Sequence, residues 1–256
     1  MKNTVYKEGK WKIHQGNYKE TIKSKFDMIL TSPPYNIGSK AKKNTGGRKL
    51  GGFDQKNFSS IIGYKDNLPE DVYQESQIDF LNWANDALNP NGVLIYNHKD
   101  RQKDGRLISP YEWLNKGNLV VRDHATWDRG STHNHEKRHV YNQTEHIFVL
   151  SKPGAKFYFQ NKNFPWADDG NKGVGNIFRV SRAKNIGHCA PMPLKLAMFI
   201  IDLWCPKGGS VCDPYNGSGT SLIAAIMIGR TYVGAEREKK FVDMTLKRIK
   251  EELTNG

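Results

Sequence analysis

Residues 210–225 read SVCDPYNGSGTSLIAA, and the fold turns on them. A short apolar run ends in an acid, Asp213, then a loop carries Gly217 and Gly219, and an apolar helix follows. Glycine lets a chain turn sharply and approach a ligand closely, and free N–H groups at a helix start favour an anionic group such as a carboxylate. A second strand, TYVGAE at 231–236, ends in Glu236. It lies roughly 20 residues beyond Asp213, where a carboxylate of a βαβ unit can accept the hydroxyls of a ribose. The two glycines alone also fit a plain turn between strand and helix. With Asp213 before them and Glu236 after them, a nucleoside cofactor is the better reading. No GK[ST] is present, which disfavours phosphate transfer.

The rhythm continues outward. LKLAMFIIDLW at 194–204 has helical spacing, and KKFVDMTLKRIKEEL at 239–253 is an amphipathic helix. Near the other end, FDMIL at 26–30 is a strand. The stretch ESQIDFLNWANDAL at 75–88 places Ile78, Leu81, Ala84 and Leu88 at helical spacing. Asn89-Pro90-Asn91-Gly92 then ends that helix and turns the chain into VLIYN at 93–97. NLVVRDHATW and EHIFVLSK read as later strands. Strands alternating with helices predict an α/β fold: one domain over 1–256 with a mainly parallel sheet covered by helices on both faces.

The chain has 256 residues, with 39 Lys+Arg against 26 Asp+Glu, a formal net charge of +13. That favours a polyanionic partner, nucleic acid above all. The three cysteines, Cys189, Cys205 and Cys212, form no CxxC spacing or paired framework, so they read as reduced thiols in a cytoplasmic protein. The N-terminus MKNTVYKEGKWKIHQGN has no apolar signal core, and SLIAAIMIG is too short to cross a bilayer, so no membrane role is expected.

Two segments break the rhythm. Residues 38–66 are rich in Gly, Lys and Asn, and read as a long mobile basic loop with Lys40, Lys42, Lys43, Arg48 and Lys49. Residues 153–187 interleave aromatics with Lys and Arg, including Arg179, Arg182 and Lys184. In a nucleic-acid groove cations meet phosphates and rings meet bases. An irregular lobe packing its own aromatics fits that composition as well. A rival function lies in HNHEKRH, where His135-Glu136-Lys137-Arg138-His139 is a literal H-E-x-x-H. On a helix it could bind zinc as in a metallopeptidase. Its flanks lack an apolar stripe, and Lys137 and Arg138 would crowd a cation, so no metal is expected and a basic loop facing DNA is preferred.

The tetrapeptide Ser32-Pro33-Pro34-Tyr35 follows the first strand, in DMILTSPPYNIG at 27–38. With DPYNGSGT at 213–220 and HCAPMP at 188–193, it makes the sequence resemble the S-adenosylmethionine-dependent DNA amino-methyltransferases. Their catalytic tetrapeptide is [Asp/Asn/Ser]-Pro-Pro-[Tyr/Phe] and their cofactor loop is usually Asp-Pro-Phe-x-Gly-Ser-Gly-Thr, so Tyr215 replaces a Phe. QGNYKE near the start and QTEHIFVLSK in the middle also fit. The order, catalytic motif first and cofactor loop late, is similar to the permuted β class.

The resemblance implies a Rossmann-like methyltransferase fold in circularly permuted order, with S-adenosylmethionine as cofactor and double-stranded DNA as partner. An exocyclic amino nitrogen is a poor nucleophile because its lone pair is conjugated into the ring. Ser32 Oγ and the Pro33 carbonyl would accept its hydrogens, Pro33 and Pro34 would stiffen the loop, and Tyr35 would stack on a flipped base. Asp213 would take the methionine amino group, the backbone around Pro214, Tyr215, Gly217, Ser218, Gly219 and Thr220 would curve about the methionine portion, and Glu236 would hold the ribose. Pro191 and Pro193 would shape the cofactor pocket, with Asn36 and Ile37 beside the base or cofactor; Thr31 and Asp27 read as strand-end structure. Residues 153–187 sit where the β class carries its target-recognition region. Ser at the first motif position leans to cytosine N4 over adenine N6. A monomer or homodimer, and a cognate restriction endonuclease, complete the expectation.

Overall fold

The computed structural model describes residues 3–37, 66–130, 140, 143–157, 160, 174–183 and 192–253. The elements in chain order are β1 (Thr4–Glu8), β2 (Trp11–Gln15), α1 (Tyr18–Thr21), β3 (Phe26–Thr31), α2 (Glu70–Ala87), β4 (Leu88–His98), β5 (Arg101–Lys103), β6 (Arg106–Ile108), α3 (Tyr111–Leu114), β7 (Val120–Asp128), β8 (Thr144–Ser151), β9 (Ile177–Arg179), α4 (Leu194–Trp204), β10 (Ser210–Asp213), α5 (Thr220–Met227), β11 (Thr231–Glu236) and α6 (Lys239–Leu253).

Nine strands form one sheet in the order β1-β2-β11-β10-β3-β4-β8-β7-β9. The run from β2 through β11, β10 and β3 to β4 is parallel throughout. β8 joins β4 antiparallel and β7 joins β8 antiparallel, while β1 closes the other side as a hairpin with β2. The expected mainly parallel sheet is therefore mixed at its flanks. Side chains alternate across it with period 2. Met28, Leu30, Val93, Ile95 and Val211 face a core shared with α4, α5 and α6. Ile29, Leu94, Tyr96 and Cys212 face a second core shared with α1, α2 and α3. Helices thus cover both faces, as the alternation predicts.

Some boundaries differ from the sequence reading. α2 begins at Glu70 and buries Tyr73, Gln77 and Phe80, while Ile78 is only partly buried. The early turn hides from a hydrophobic pattern because Gln77 is buried polar, satisfied by Tyr96 Oη donating to its Oε1 at 2.8 Å. Leu88 is already strand, and Asn89–Gly92 bulge out of β4: Phe26 pairs with Leu88, but Met28 pairs with Val93. Asp27 sits opposite the bulge and is structural as expected, accepting from Asn89 Nδ2 at 2.7 Å and from Ser210 N at 2.9 Å. Among the described residues, no helix is long and apolar enough to cross a membrane.

Candidate active site

β3, β10 and β11 run parallel and adjacent, so their C-terminal ends open on one edge of the sheet. Ligands of open α/β sheets bind at such an edge. The three ends carry the tetrapeptide at Ser32, Asp213 and Glu236 respectively. A cavity of about 620 Å³ connects them, lined by Ser32, Asp66, Met192, Asp213, Gly217 and Glu236 among others. That volume is in the range of small-molecule sites.

The Asp213 end is a buried carboxylate, 4% exposed. Its Oδ1 accepts from Thr31 Oγ1 at 2.9 Å and Tyr215 N at 3.0 Å, and its Oδ2 accepts from Ser221 Oγ at 2.8 Å. Burial nevertheless raises its pKa from 3.8 to about 6, against the opposing pull of those hydrogen bonds. A carboxylate offers about four acceptor positions, so capacity remains on Oδ2 for a cationic ligand. Glu236 is also raised by burial, and its oxygens take Gly217 N and Glu238 N, each at 2.9 Å. Two loop amides expected to be free are therefore engaged: Gly217 N by Glu236, and Gly219 N by Asn216 O at 2.9 Å. The loop presents carboxylates to the cavity more than it presents an anion nest.

Why glycine stands at 219 is plain from α6. Gly219 has φ +78°, and a Cβ there would come within 2.8 Å of Thr245 Oγ1. Thr245 donates to the Gly217 carbonyl at 3.1 Å, and Arg248 Nη1 donates to the Ser218 carbonyl at 2.8 Å and to Thr220 Oγ1 at 3.0 Å. Pro214 and Tyr215 also line the cavity. The Tyr215 ring packs on Tyr18 at 5.3 Å.

The tetrapeptide is held from behind. Tyr73 Oη donates to the Pro34 carbonyl at 2.9 Å and meets His98 Nε2 at 2.7 Å. With its one proton given to Pro34, Tyr73 must accept from His98, which makes Nε2 the protonated nitrogen. His98 Nδ1 lies 2.8 Å from both Lys99 N and the Lys99 carbonyl. Burial holds the His98 pKa well below the imidazole value, so the ring is neutral. The next turn is set by Asn36 at φ +52°, a region Asn tolerates. Asn36 N and Ile37 N donate to the two oxygens of Asp66 at 2.7 and 3.2 Å, and Asn36 pairs with the Leu68 backbone through both its amide atoms. Asn36 lines the cavity; Ile37 is exposed.

In front, Ser32 is exposed and Pro33 buried. Ser32 Oγ lies 2.7 Å from Tyr35 Oη, and Tyr35 Oη donates to Glu145 Oε2 at 3.1 Å. The Tyr35 ring packs on His98 at 4.4 Å.

Of the remaining expected site residues, Pro193 is buried at the start of α4, and Met192 forms the cavity wall in its place. Arg179 and Arg182 are exposed. Lys40, Lys42, Lys43, Arg48, Lys49, Lys184 and Pro191, with the H-E-x-x-H stretch and Cys189, lie outside the described residues. Among the described residues, no group of three or more His, Cys, Asp or Glu could hold a metal. Sequence reading passed over Tyr73, Asp66 and Ser221, and it read Thr31 as strand-end structure without its bond to Asp213.

The cleft on this mainly parallel sheet has two carboxylates, Asp213 and Glu236, at one end and the Ser-Pro-Pro-Tyr loop at the other. The family model for DNA methylases, N6_N4_Mtase, matches residues 26–247, and the chain belongs to that family. It is 25% identical over 254 residues to the type II methyltransferase M2.DpnII of Streptococcus pneumoniae, covering 94% of this chain and 89% of that one. It is 32% identical over 125 residues to the type II methyltransferase M.BglI of Bacillus subtilis, covering 48% of this chain and only 35% of the longer M.BglI. Among solved structures, the PvuII DNA methyltransferase (cytosine-N4-specific) superposes with a TM-score of 0.71 at 18% identity, covering 96% of this chain and 91% of that one. The M1.HpyAVI–SAM complex superposes with a TM-score of 0.60 at 21% identity, covering 93% and 99%. The fold is the Rossmann-like methyltransferase fold.

Proposed function

We propose that this chain transfers a methyl group from S-adenosylmethionine to the exocyclic amino group of a base in double-stranded DNA, with cytosine N4 as its target. The observation that carries the reading is the shared cavity: Ser32 opens on the same space as Asp213 and Glu236. The donor set suits S-adenosylmethionine. Asp213 keeps acceptor capacity for the methionine ammonium, and Glu236 is a partly engaged carboxylate suited to a ribose hydroxyl. Bound there, the cofactor supplies an electrophilic methyl on a sulfonium.

The chain's own residues do the rest. Ser32 Oγ and the Pro33 carbonyl accept the amino hydrogens and draw the nitrogen lone pair out of conjugation with the ring. Prolines fix φ and offer no competing N–H donors. Tyr35, partly buried beside the exposed Ser32, stacks on a base taken out of the duplex. No covalent cysteine is needed, and Cys212 is unsuited to be one: burial raises its thiol pKa well above the usual range.

The permuted β-class order, one catalytic domain over 1–256, and target reading by 153–187 belong to the same reading. So do phosphate contacts from the basic loop 38–66, with Arg179 and Arg182 alongside, and a cognate endonuclease. Ser at position 32 favours cytosine N4. Hydrolysis of DNA methylated by the purified protein, followed by nucleoside identification, tests it. N4-methylcytosine is expected; N6-methyladenine as sole product overturns the choice of base and leaves the chemistry standing.

A further inference from the structure

Ser32 can serve the reaction only if its lone pairs, and not its proton, face the amino group. A hydroxyl has one proton and two acceptor positions, so the direction of the Ser32–Tyr35 hydrogen bond decides the matter. The direction is set two side chains away, at Glu145. Glu145, at the start of β8 and 7% exposed, accepts from Arg129 Nη1 on Oε1 at 2.9 Å, and from Asn97 Nδ2 at 3.2 Å and Tyr35 Oη at 3.1 Å on Oε2. Asn97 is itself oriented, donating to the His146 carbonyl at 3.0 Å.

A carboxylate paired with an arginine can only accept, so the single phenolic proton of Tyr35 is committed to Glu145. Burial and the Glu145 charge hold the Tyr35 pKa well above the ordinary phenol value, so that proton stays on the ring oxygen. Toward Ser32, 2.7 Å away, Tyr35 therefore offers only lone pairs, and Ser32 must be the donor. Its proton is turned inward, and its remaining acceptor capacity is left for the cavity side. A hydroxyl that donates in this way is also a better acceptor, because chained hydrogen bonds polarise one another.

We propose that Glu145, braced by Arg129 and Asn97, is a positioning residue that acts through Tyr35 to fix Ser32 as an acceptor for the substrate amino group. This deepens the amino-methyltransferase reading and rests on it. It also gives the Tyr35 hydroxyl a task separate from stacking.

Glu145→Gln keeps the shape and changes the direction. A glutamine amide turned to keep its oxygen on Arg129 presents its NH2 to Tyr35. The phenol then accepts, donates to Ser32, and leaves the serine proton facing the cavity. Tyr35→Phe keeps the ring for stacking and removes the relay. The assay is single-turnover methyl transfer to duplex DNA, with S-adenosylmethionine affinity by calorimetry and a thermal melt for each variant.

Glu145→Gln is expected to lower the transfer rate about a hundredfold, the scale of losing one preorganised polar contact to the reacting group, with cofactor affinity within about twofold. Tyr35→Phe is expected to lose about tenfold, because Ser32 becomes free to turn either way. The double variant should be no slower than Glu145→Gln alone, since Glu145 reaches Ser32 only through the phenol. Unchanged rates in both single variants overturn the inference. So does a double variant whose losses multiply, which is the pattern of two unrelated structural roles. Should Glu145→Gln melt below the assay temperature, Tyr35→Phe alone decides, and a wild-type rate in it refutes the relay. If the wild-type protein itself methylates no amino group in DNA, the functional reading fails and not the relay.

Discussion

Cofactor affinity should rise steeply between pH 5 and pH 7, and the cause should be Asp213. Its carboxyl is raised from 3.8 to about 6 because it is buried. In the free protein it is therefore about nine-tenths protonated at pH 5 and about one-tenth at pH 7. Holding an ammonium requires the charged form, so the apparent Kd at pH 5 should be about tenfold weaker than at pH 7. The cofactor's own amino group, with an α-amino pKa near 8, stays charged across this window.

Calorimetry in buffers of different ionisation enthalpy counts the protons. Binding should release about 0.9 proton at pH 5 and about 0.1 at pH 7. Stability of the free protein moves the other way. A carboxyl whose folded pKa lies above its unfolded value contributes nothing unfavourable below pH 3.8 and costs about 3 kcal/mol once the pH has risen past 6. Asp213→Asn should flatten both curves. A Kd that varies less than twofold between pH 5 and 7 refutes the reasoning. A slope that survives in Asp213→Asn refutes it too, since it would then belong to Glu236, also raised by burial.

Ser32→Ala should cut methyl transfer about a hundredfold or more while calorimetry finds cofactor affinity unchanged, because the proposed role of Ser32 is to accept from the base and not from the cofactor. Gly219→Ala should lower the unfolding free energy measured in urea by at least about 1 kcal/mol for the φ of +78° alone and more for the collision with Thr245, and it should abolish cofactor binding. Glu70→Ala should destabilise the protein by about 3–5 kcal/mol in a thermal melt. It strands Arg101, which is 4% exposed and now makes contacts of 2.9 and 2.6 Å to Glu70.

The sequence was most legible where each element has one periodicity and clear ends. α4, β10, β11 and α6 fall on the stretches LKLAMFIIDLW, SVCD, TYVGAE and KKFVDMTLKRIKEEL that announced them. β1 and β2 went unread because a flanking hairpin keeps little apolar alternation: every residue of β1 is exposed except Tyr6, which is intermediate. The site was legible as two motifs but not as a network. Asp66 reaches Asn36 across 30 residues and Glu145 reaches Tyr35 across 110. The parallel pairing of β3 with β4 and the antiparallel pairing of β4 with β8 together bring that second pair into contact. Chain separation of that size leaves no local pattern to read. The bond from Thr31 to Asp213 was hidden for the same reason, the two lying 182 residues apart.

That contact between Thr31 and Asp213 spans the seam between β3 and β10, one residue before Ser32. In the proposed function it fastens the half of the cleft assigned to the methyl donor to the half assigned to the acceptor, so the spacing between two substrates is gauged within one protein bond. A tetrapeptide remodelled to accept another base cannot drift as an independent module. Any displacement that carries Thr31 with it also disturbs the Asp213 carboxylate, so in the proposed function base choice and donor affinity should change together.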